Sequence, residues 1–211
     1  MKHFQKIVVL TLLCVFSFLQ TEAQFGIGFT FSDDLYNRYT NPDNGEDAHR
    51  SNGSALLNLA LGPKIWLGAE KFSFSVEGQA NLGILGVSVP DSKGLGNVAF
   101  PIIGQFNFKG LSGLNKEGSL GFSLGGGIQY NKTELYGLDD TYAEQGVTRS
   151  FFKTYVAQVG YGFGISGFAA KLYVRYGWNP NLDGANSFNV GLQWDFNVLK
   201  LNKLSDPASE L

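Results

Sequence analysis

The first long polar stretch of the chain, NPDNGEDAHRSNGS, holds most of the residues that could carry out a reaction. His49 lies there with Asp43 and Asp47, and Ser51 and Ser54 follow it. A histidine, a carboxylate and a serine are the parts of an activated nucleophile, in which the imidazole takes the hydroxyl proton. Nothing in the spacing fixes that geometry, and a solvated loop histidine looks the same in sequence. No catalytic residue is assigned. Asp33, Asp34, Asp43, Glu46 and Asp47, with Asp139, Asp140 and Glu144 further on, are oxygen donors suited to Ca²⁺ or Mg²⁺. The spacing lacks the glutamate that an EF-hand places several residues after its glycine. These acids therefore read as solvated loop charge, and no metal or cofactor is expected. GYGFGISG looks like a phosphate loop, but its glycines fall on one strand face and no helix follows.

A second set of charges stands elsewhere: Lys64, Glu77, Lys171, Arg175 and Asp195. Each shares a strand face with Gly, Ser, Asn and Gln. If that face is enclosed, these charges must pair, because an unpartnered buried charge is very costly. A tight turn centred on Ala69 and Glu70 is expected to set Lys64 opposite Ser75 and diagonal to Glu77. Diagonal neighbours lie about 7–8 Å apart, within reach of long side chains. The expected network joins Lys64 to Glu77 and Lys171 to Asp195, with Arg175 and glutamines bridging.

The elements that must position these residues are strands. In SFNVGLQWDFNV, Phe188, Val190, Leu192, Trp194, Phe196 and Val198 alternate with Asn189, Gly191, Gln193, Asp195 and Asn197. Successive strand residues point to opposite faces, so the segment has one apolar and one polar face. Seven earlier segments repeat the pattern: 24–32, 55–67, 72–87, 98–109, 119–132, 152–165 and 168–178. On the fourth of them Gln105, Asn107 and Lys109 form the polar face. The expected connections alternate in length. The long ones are 33–54, 88–97, 135–150 and 179–186, and the short ones are 68–71, 110–118 and 166–167. An antiparallel meander with all long loops at one end produces this order.

The N-terminus reads as a secretory signal peptide over residues 1–23. Lys2, His3 and Lys6 precede the apolar run IVVLTLLCVFSFL, and TEA precedes Gln24. Cys14, the single cysteine, lies inside that run, so the mature chain has no disulfide and no thiolate metal site. Charged residues are 16% of the 211, against roughly 25% in soluble domains. The net charge of -2 gives no basic face for nucleic acid.

Alternation alone leaves open which face is enclosed, since a soluble ligand-binding barrel alternates too. Volume separates the cases. An eight-stranded barrel has an interior just wide enough for side chains or one small ligand. Eight faces of Phe, Leu, Ile, Tyr and Trp do not fit inside; faces of Gly, Ser, Asn and Gln do. The expected arrangement is an all-β, eight-stranded, antiparallel up-and-down transmembrane barrel over 24–198, with a short periplasmic tail at 199–211. Phe25, Phe72, Phe74, Phe106, Phe108, Phe122, Phe163, Phe168 and Phe196 would girdle one rim, and Tyr130, Tyr155, Tyr176 and Trp178 the other. An interior packed this way leaves no continuous water channel, and a residue such as Gly125 on the inner face is expected to accept serine cheaply.

This pattern resembles the small eight-stranded outer-membrane barrels of the OmpA and OmpX type, often grouped as porin-like. The resemblance covers 24–198 and rests on signal peptide, strand number, loop alternation and girdles. The Ala-Gln junction resembles that of exported proteins of the Bacteroidota. The resemblance implies a monomer in a Gram-negative outer membrane, with outer-membrane lipid and lipopolysaccharide and the barrel-assembly machinery as partners. Such barrels commonly end on an aromatic residue used in assembly; Phe196 stands in that place, but LKLNKLSDPASEL follows it. The function implied is non-enzymatic: envelope integrity, surface contact or limited passage of small solutes. The alternatives are a soluble secreted β-barrel or sandwich that binds a ligand, and a lipid-modifying barrel enzyme. The latter resembles the barrel-type acyltransferases only in the His49 loop and lacks their amphipathic helix.

Overall fold

The computed structural model describes residues 24–42, 52–55, 58–89, 95–116, 118–136, 150–182 and 184–200. The alternating segments form ten strands: β1 (Gln24–Thr40), β2 (Asn52–Ala55), β3 (Asn58–Ala69), β4 (Phe72–Gly78), β5 (Ala80–Val89), β6 (Leu95–Lys109), β7 (Ser119–Tyr136), β8 (Phe152–Ile165), β9 (Phe168–Trp178) and β10 (Asn186–Asn197). β10 pairs antiparallel with β1 and closes the sheet into a barrel. β1 pairs with both β2 and β3, and β6 with both β4 and β5. Each of those couples is one stave, so the ring has eight antiparallel staves. The stave of β4 and β5 breaks at Gln79. Gln79 N–H donates to the Pro101 carbonyl at 3.0 Å. Pro101 has no N–H to return the bond, and the ladder lapses there.

The two faces differ as alternation requires. Phe25, Leu61, Leu120, Tyr161 and Ile165 are each more than half exposed on the outside. The enclosed side chains are mostly polar, among them Lys64, Glu77, Gln105, Arg175, Asn189 and Gln193. A soluble barrel has the reverse polarity, and an apolar exterior this extensive suits a bilayer rather than water. Rings stack around the rim that carries the short turns: Phe29 on Phe196 at 4.7 Å, Phe108 on Phe122 at 4.4 Å and Phe72 on Phe106 at 5.9 Å. At the other rim Tyr176 stacks on Trp178 at 6.0 Å.

Several expectations are corrected. β1 does not end at Ser32 but runs to Thr40, with a bulge between Asp34 and Tyr36. Asp33 and Asp34 are therefore strand residues rather than loop acids, and Asp34 is fully enclosed. The β3–β4 turn is Glu70–Lys71, closed by Ala69 and Phe72. That moves the register by two residues and puts Lys64 directly opposite Glu77, with Trp66 opposite Ser75. A two-residue slip preserves the faces, whereas a one-residue slip would exchange them. Lys109, expected on the inner face, is exposed and has φ 53° where the strand ends.

The connection at 110–118 is not a simple outer turn. Gly110–Ser112 form one turn of 3-10 helix, and Leu111, Ser112 and Leu114 are almost wholly buried. The segment is tucked into the end of the barrel. Gly113 has φ 70°, and a Cβ there would come within 2.6 Å of Trp66 Nε1, so both backbone and space demand glycine. His49, Asp43, Glu46, Asp47, Asp139, Asp140, Glu144, the signal segment 1–23 and residues 201–211 lie outside the described residues.

Candidate functional site

The barrel interior is the site that brings the charged residues together. β3 presents Lys64 inward because Asn58, Ala60 and Gly62 precede it on the same face. Lys64 Nζ lies 2.8 Å from Glu77 Oε2 on the adjacent β4. It also lies 2.7 Å from Asp195 Oδ2 on β10. β1 separates β3 from β10, so the second bond is a strut over the inner face of β1. Gln193 Nε2 completes the group by donating to Glu77 Oε2 at 2.9 Å and to Asp195 Oδ1 at 2.7 Å. Gln79 Nε2 donates to the other Glu77 oxygen at 3.3 Å.

Lys171 on β9 faces the same level. Its Nζ donates to Gln105 Oε1 on β6 at 2.8 Å and stands 3.9 Å from Asp195 Oδ2. Asp195 is thus held mainly by Lys64, with Lys171 as a looser second cation. Direct pairing of Lys171 with Asp195 was the expectation. The register sets Lys171 opposite Gln193 and leaves Asp195 opposite Ala169, which explains the longer reach.

One level toward the long loops, Asp34 accepts from Asn81 Nδ2 at 3.0 Å, from Asn189 Nδ2 at 2.7 Å and from the Tyr173 hydroxyl. These donors come from three different strands. Arg175 donates from Nε to Gln158 Oε1 at 2.7 Å and from Nη1 to Gln129 Oε1 at 3.2 Å. Its guanidinium lies 5.2 Å from the Tyr173 ring centroid. Arg175 therefore meets Asp34 through Tyr173 rather than directly. Together Lys64, Lys171 and Arg175 balance Glu77, Asp195 and Asp34, so this part of the interior carries no net charge.

Below the Lys64 group the tucked turn fills the mouth. Ser73 Oγ donates to the Ser112 carbonyl at 2.6 Å, Ser112 Oγ to the Glu70 carbonyl at 2.7 Å and Asn197 Nδ2 to the Gly113 carbonyl at 3.0 Å. Near the opposite mouth, Asn131 Nδ2 donates to Thr154 Oγ1 at 3.0 Å and Thr133 Oγ1 to Asn41 Oδ1 at 2.6 Å. Thr133 to Asn41 and Lys171 to Gln105 join staves that are well apart in the ring, so bonds cross the lumen at two heights. The bonds of Lys64, Glu77, Asp195 and Asp34 are charge-assisted, a class that is short and strong, and an interior of this width is one that side chains fill.

Tyr173 and the 110–114 turn take part without having been singled out in the sequence, and Asp34, which reads there as a loop acid, joins them inside. For Tyr173 the signal was present, since alternation on β9 places it on the face of Lys171 and Arg175. The arrangement holds charge in place inside the barrel. Among the described residues no group of three His, Cys, Asp or Glu side chains could hold a metal ion.

No protein-family model matches the chain, and no curated protein matches it significantly. Among the solved structures that resemble it are three at low identity. Neisserial surface protein A is 12% identical with a TM-score of 0.43, over 82% of this chain and 99% of its own. The N-terminal β-barrel domain of Pseudomonas aeruginosa OprF is 9% identical with a TM-score of 0.40, over 83% and 100%. The outer membrane protein OprG of the same organism is 12% identical with a TM-score of 0.41, over 83% and 95%.

Proposed function

We propose that the chain is an integral outer-membrane barrel with a non-enzymatic role in envelope integrity or surface contact. Its long loops face outside, its termini lie in the periplasm and its partners are membrane lipid, lipopolysaccharide and the assembly machinery. The observation that carries this reading is the inverted polarity: apolar side chains outside, charge and amide inside. Closure of the ring leaves no strand edge for another chain to extend, which favours a monomer. The struts across the lumen favour a structural or surface role over passage of solutes.

Membrane fractionation tests the localisation, and gel migration in detergent with and without boiling tests the barrel. The reading expects outer-membrane recovery and a folded band that shifts on heating. Recovery in the soluble periplasm would overturn it. Replacement of His49 by Ala is expected to leave envelope behaviour unchanged; loss of a lipid modification on that change would replace the reading with the enzyme.

A further inference from the structure

The outer surface is apolar almost everywhere, yet two lysines stand together on it. Lys132 on β7 and Lys153 on β8 lie on the outward face of neighbouring strands. Lys153 is directly opposite Tyr130, and Lys132 lies two residues beyond Tyr130 toward the loop end. Diagonal neighbours of this kind are about 7–8 Å apart, so both ammonium groups can reach one anion. Each lies against an aromatic ring: Lys132 Nζ is 5.8 Å from the Phe151 centroid and Lys153 Nζ is 4.8 Å from that of Tyr155. Neither has a carboxylate within 4.0 Å among the described residues. Lys153 is level with Tyr130 and Lys132 just beyond it, and both lie past Tyr155 and its partner Trp178 in the aromatic rim that marks the membrane boundary. Long cationic side chains at that height keep their heads among lipid headgroups.

The same seam is hollowed out below them. Gly126 and Ala157 are direct partners on the outward face. A Cβ on Gly126 would meet only the Val156 carbonyl oxygen, at 3.0 Å, and otherwise open space. Two residues further along both strands, at Leu124 and Val159, begins a groove of about 240 Å³ lined also by Phe122, Tyr161, Leu172 and Val174. From Lys153 to Val159 the strand advances roughly 20 Å at about 3.3 Å per residue, the reach of one acyl chain.

Given the outer-membrane reading, we propose that the β7–β8 seam binds a phosphorylated lipid of the outer leaflet. Lys132 and Lys153 hold its headgroup phosphate, and one acyl chain follows Gly126 and Ala157 into the groove. Charge complementarity selects the headgroup, and the apolar groove selects a lipid over free phosphate.

The test is native mass spectrometry of the full mature chain folded in detergent and titrated with bisphosphorylated lipid A or its dephosphorylated form. Heat-shifted gel migration of the same sample checks the barrel independently. The expected result is at least tenfold tighter retention of the phosphorylated lipid, lost in K132Q/K153Q. Ala157→Trp, which fills the trough, is expected to weaken retention with both lysines present. K71Q/K109Q, at the opposite rim, is expected to leave it unchanged. Excess inorganic phosphate is expected not to displace the lipid. A heat-modifiable barrel that holds both lipids equally would overturn the site and leave the membrane reading intact. Displacement by inorganic phosphate would overturn the lipid as occupant.

Discussion

Lys64→Met should be among the most damaging single changes to this barrel. The methionine keeps the length of the side chain and removes its charge. Six charges balance in this part of the interior, so the variant leaves one negative charge in excess there. Removing one member of a buried ion pair costs about 3–5 kcal/mol. Here the orphaned carboxylates are not bare. Glu77 keeps Gln193 and Gln79, and Asp195 keeps Gln193 and has Lys171 at 3.9 Å, free to swing from Gln105. The expected loss is therefore at the lower end, about 3 kcal/mol. Glu77→Gln leaves the 2.7 Å bond between Lys64 and Asp195 in place, and should cost about 2 kcal/mol, the worth of one charge-assisted bond. Lys64→Met with Glu77→Gln removes charge and counter-charge together. It should cost no more than Lys64→Met alone, a departure from additivity of about 2 kcal/mol. Urea titration in lipid vesicles, followed by tryptophan fluorescence, measures all three, since the midpoint and slope give the free energy. A loss below about 1 kcal/mol for Lys64→Met, equal to that of the exposed Lys71→Met, would refute the strut. So would strictly additive single changes.

Leu124→Arg or Val159→Arg, on the outward face, should cost about 2–4 kcal/mol of insertion near the bilayer midplane, whereas Ser123→Ala on the inward face should stay within about 1 kcal/mol in the same titration. Leu114→Ala, in the buried turn at the barrel mouth, should cost about 2–5 kcal/mol; a loss like that of an exposed site would mean the turn does not pack there. Planar-bilayer recording of the unmodified protein should show little steady conductance, and large steady channels would mean the lumen is open. A tag inserted at Asn181 should bind antibody on intact cells and one at Lys116 should not; the opposite labelling would invert the topology.

The faces of the strands were legible because alternation survives almost every local irregularity. In β8, Tyr155, Ala157, Val159, Tyr161, Phe163 and Ile165 all point outward as their spacing implies. What depended on turns was less legible. A turn at Glu70–Lys71 rather than Ala69–Glu70 changed the partner of Lys64 but not its side, because the register moved by an even number. Asp34 read as a loop acid because Leu35 and Tyr36, both outward, interrupt the alternation. The bulge that absorbs the extra residue restores it, with Asn37 and Tyr39 inside. Leu111 and Leu114 lie in a short glycine-rich connection, and nothing in their local sequence tells a turn that folds inward from one that faces water. Gly125 is a further case. Facing inward suggested room for serine, but a Cβ would come within 2.5 Å of Gln105 Cγ and 2.7 Å of the Gly104 carbonyl oxygen. Closeness across strands is a tertiary quantity that alternation does not carry.

If the apolar face meets lipid while the polar face is enclosed, the tryptophans must differ in their surroundings. Trp66 is enclosed at 1% exposure, while Trp194 points outward and stacks on Phe31 at 5.5 Å. Variants that keep one tryptophan at a time, folded into vesicles whose acyl chains carry bromine, give the measurement. Strong quenching of Trp194 and little of Trp66 is the expected result. Strong quenching of Trp66 with Trp194 spared would contradict it.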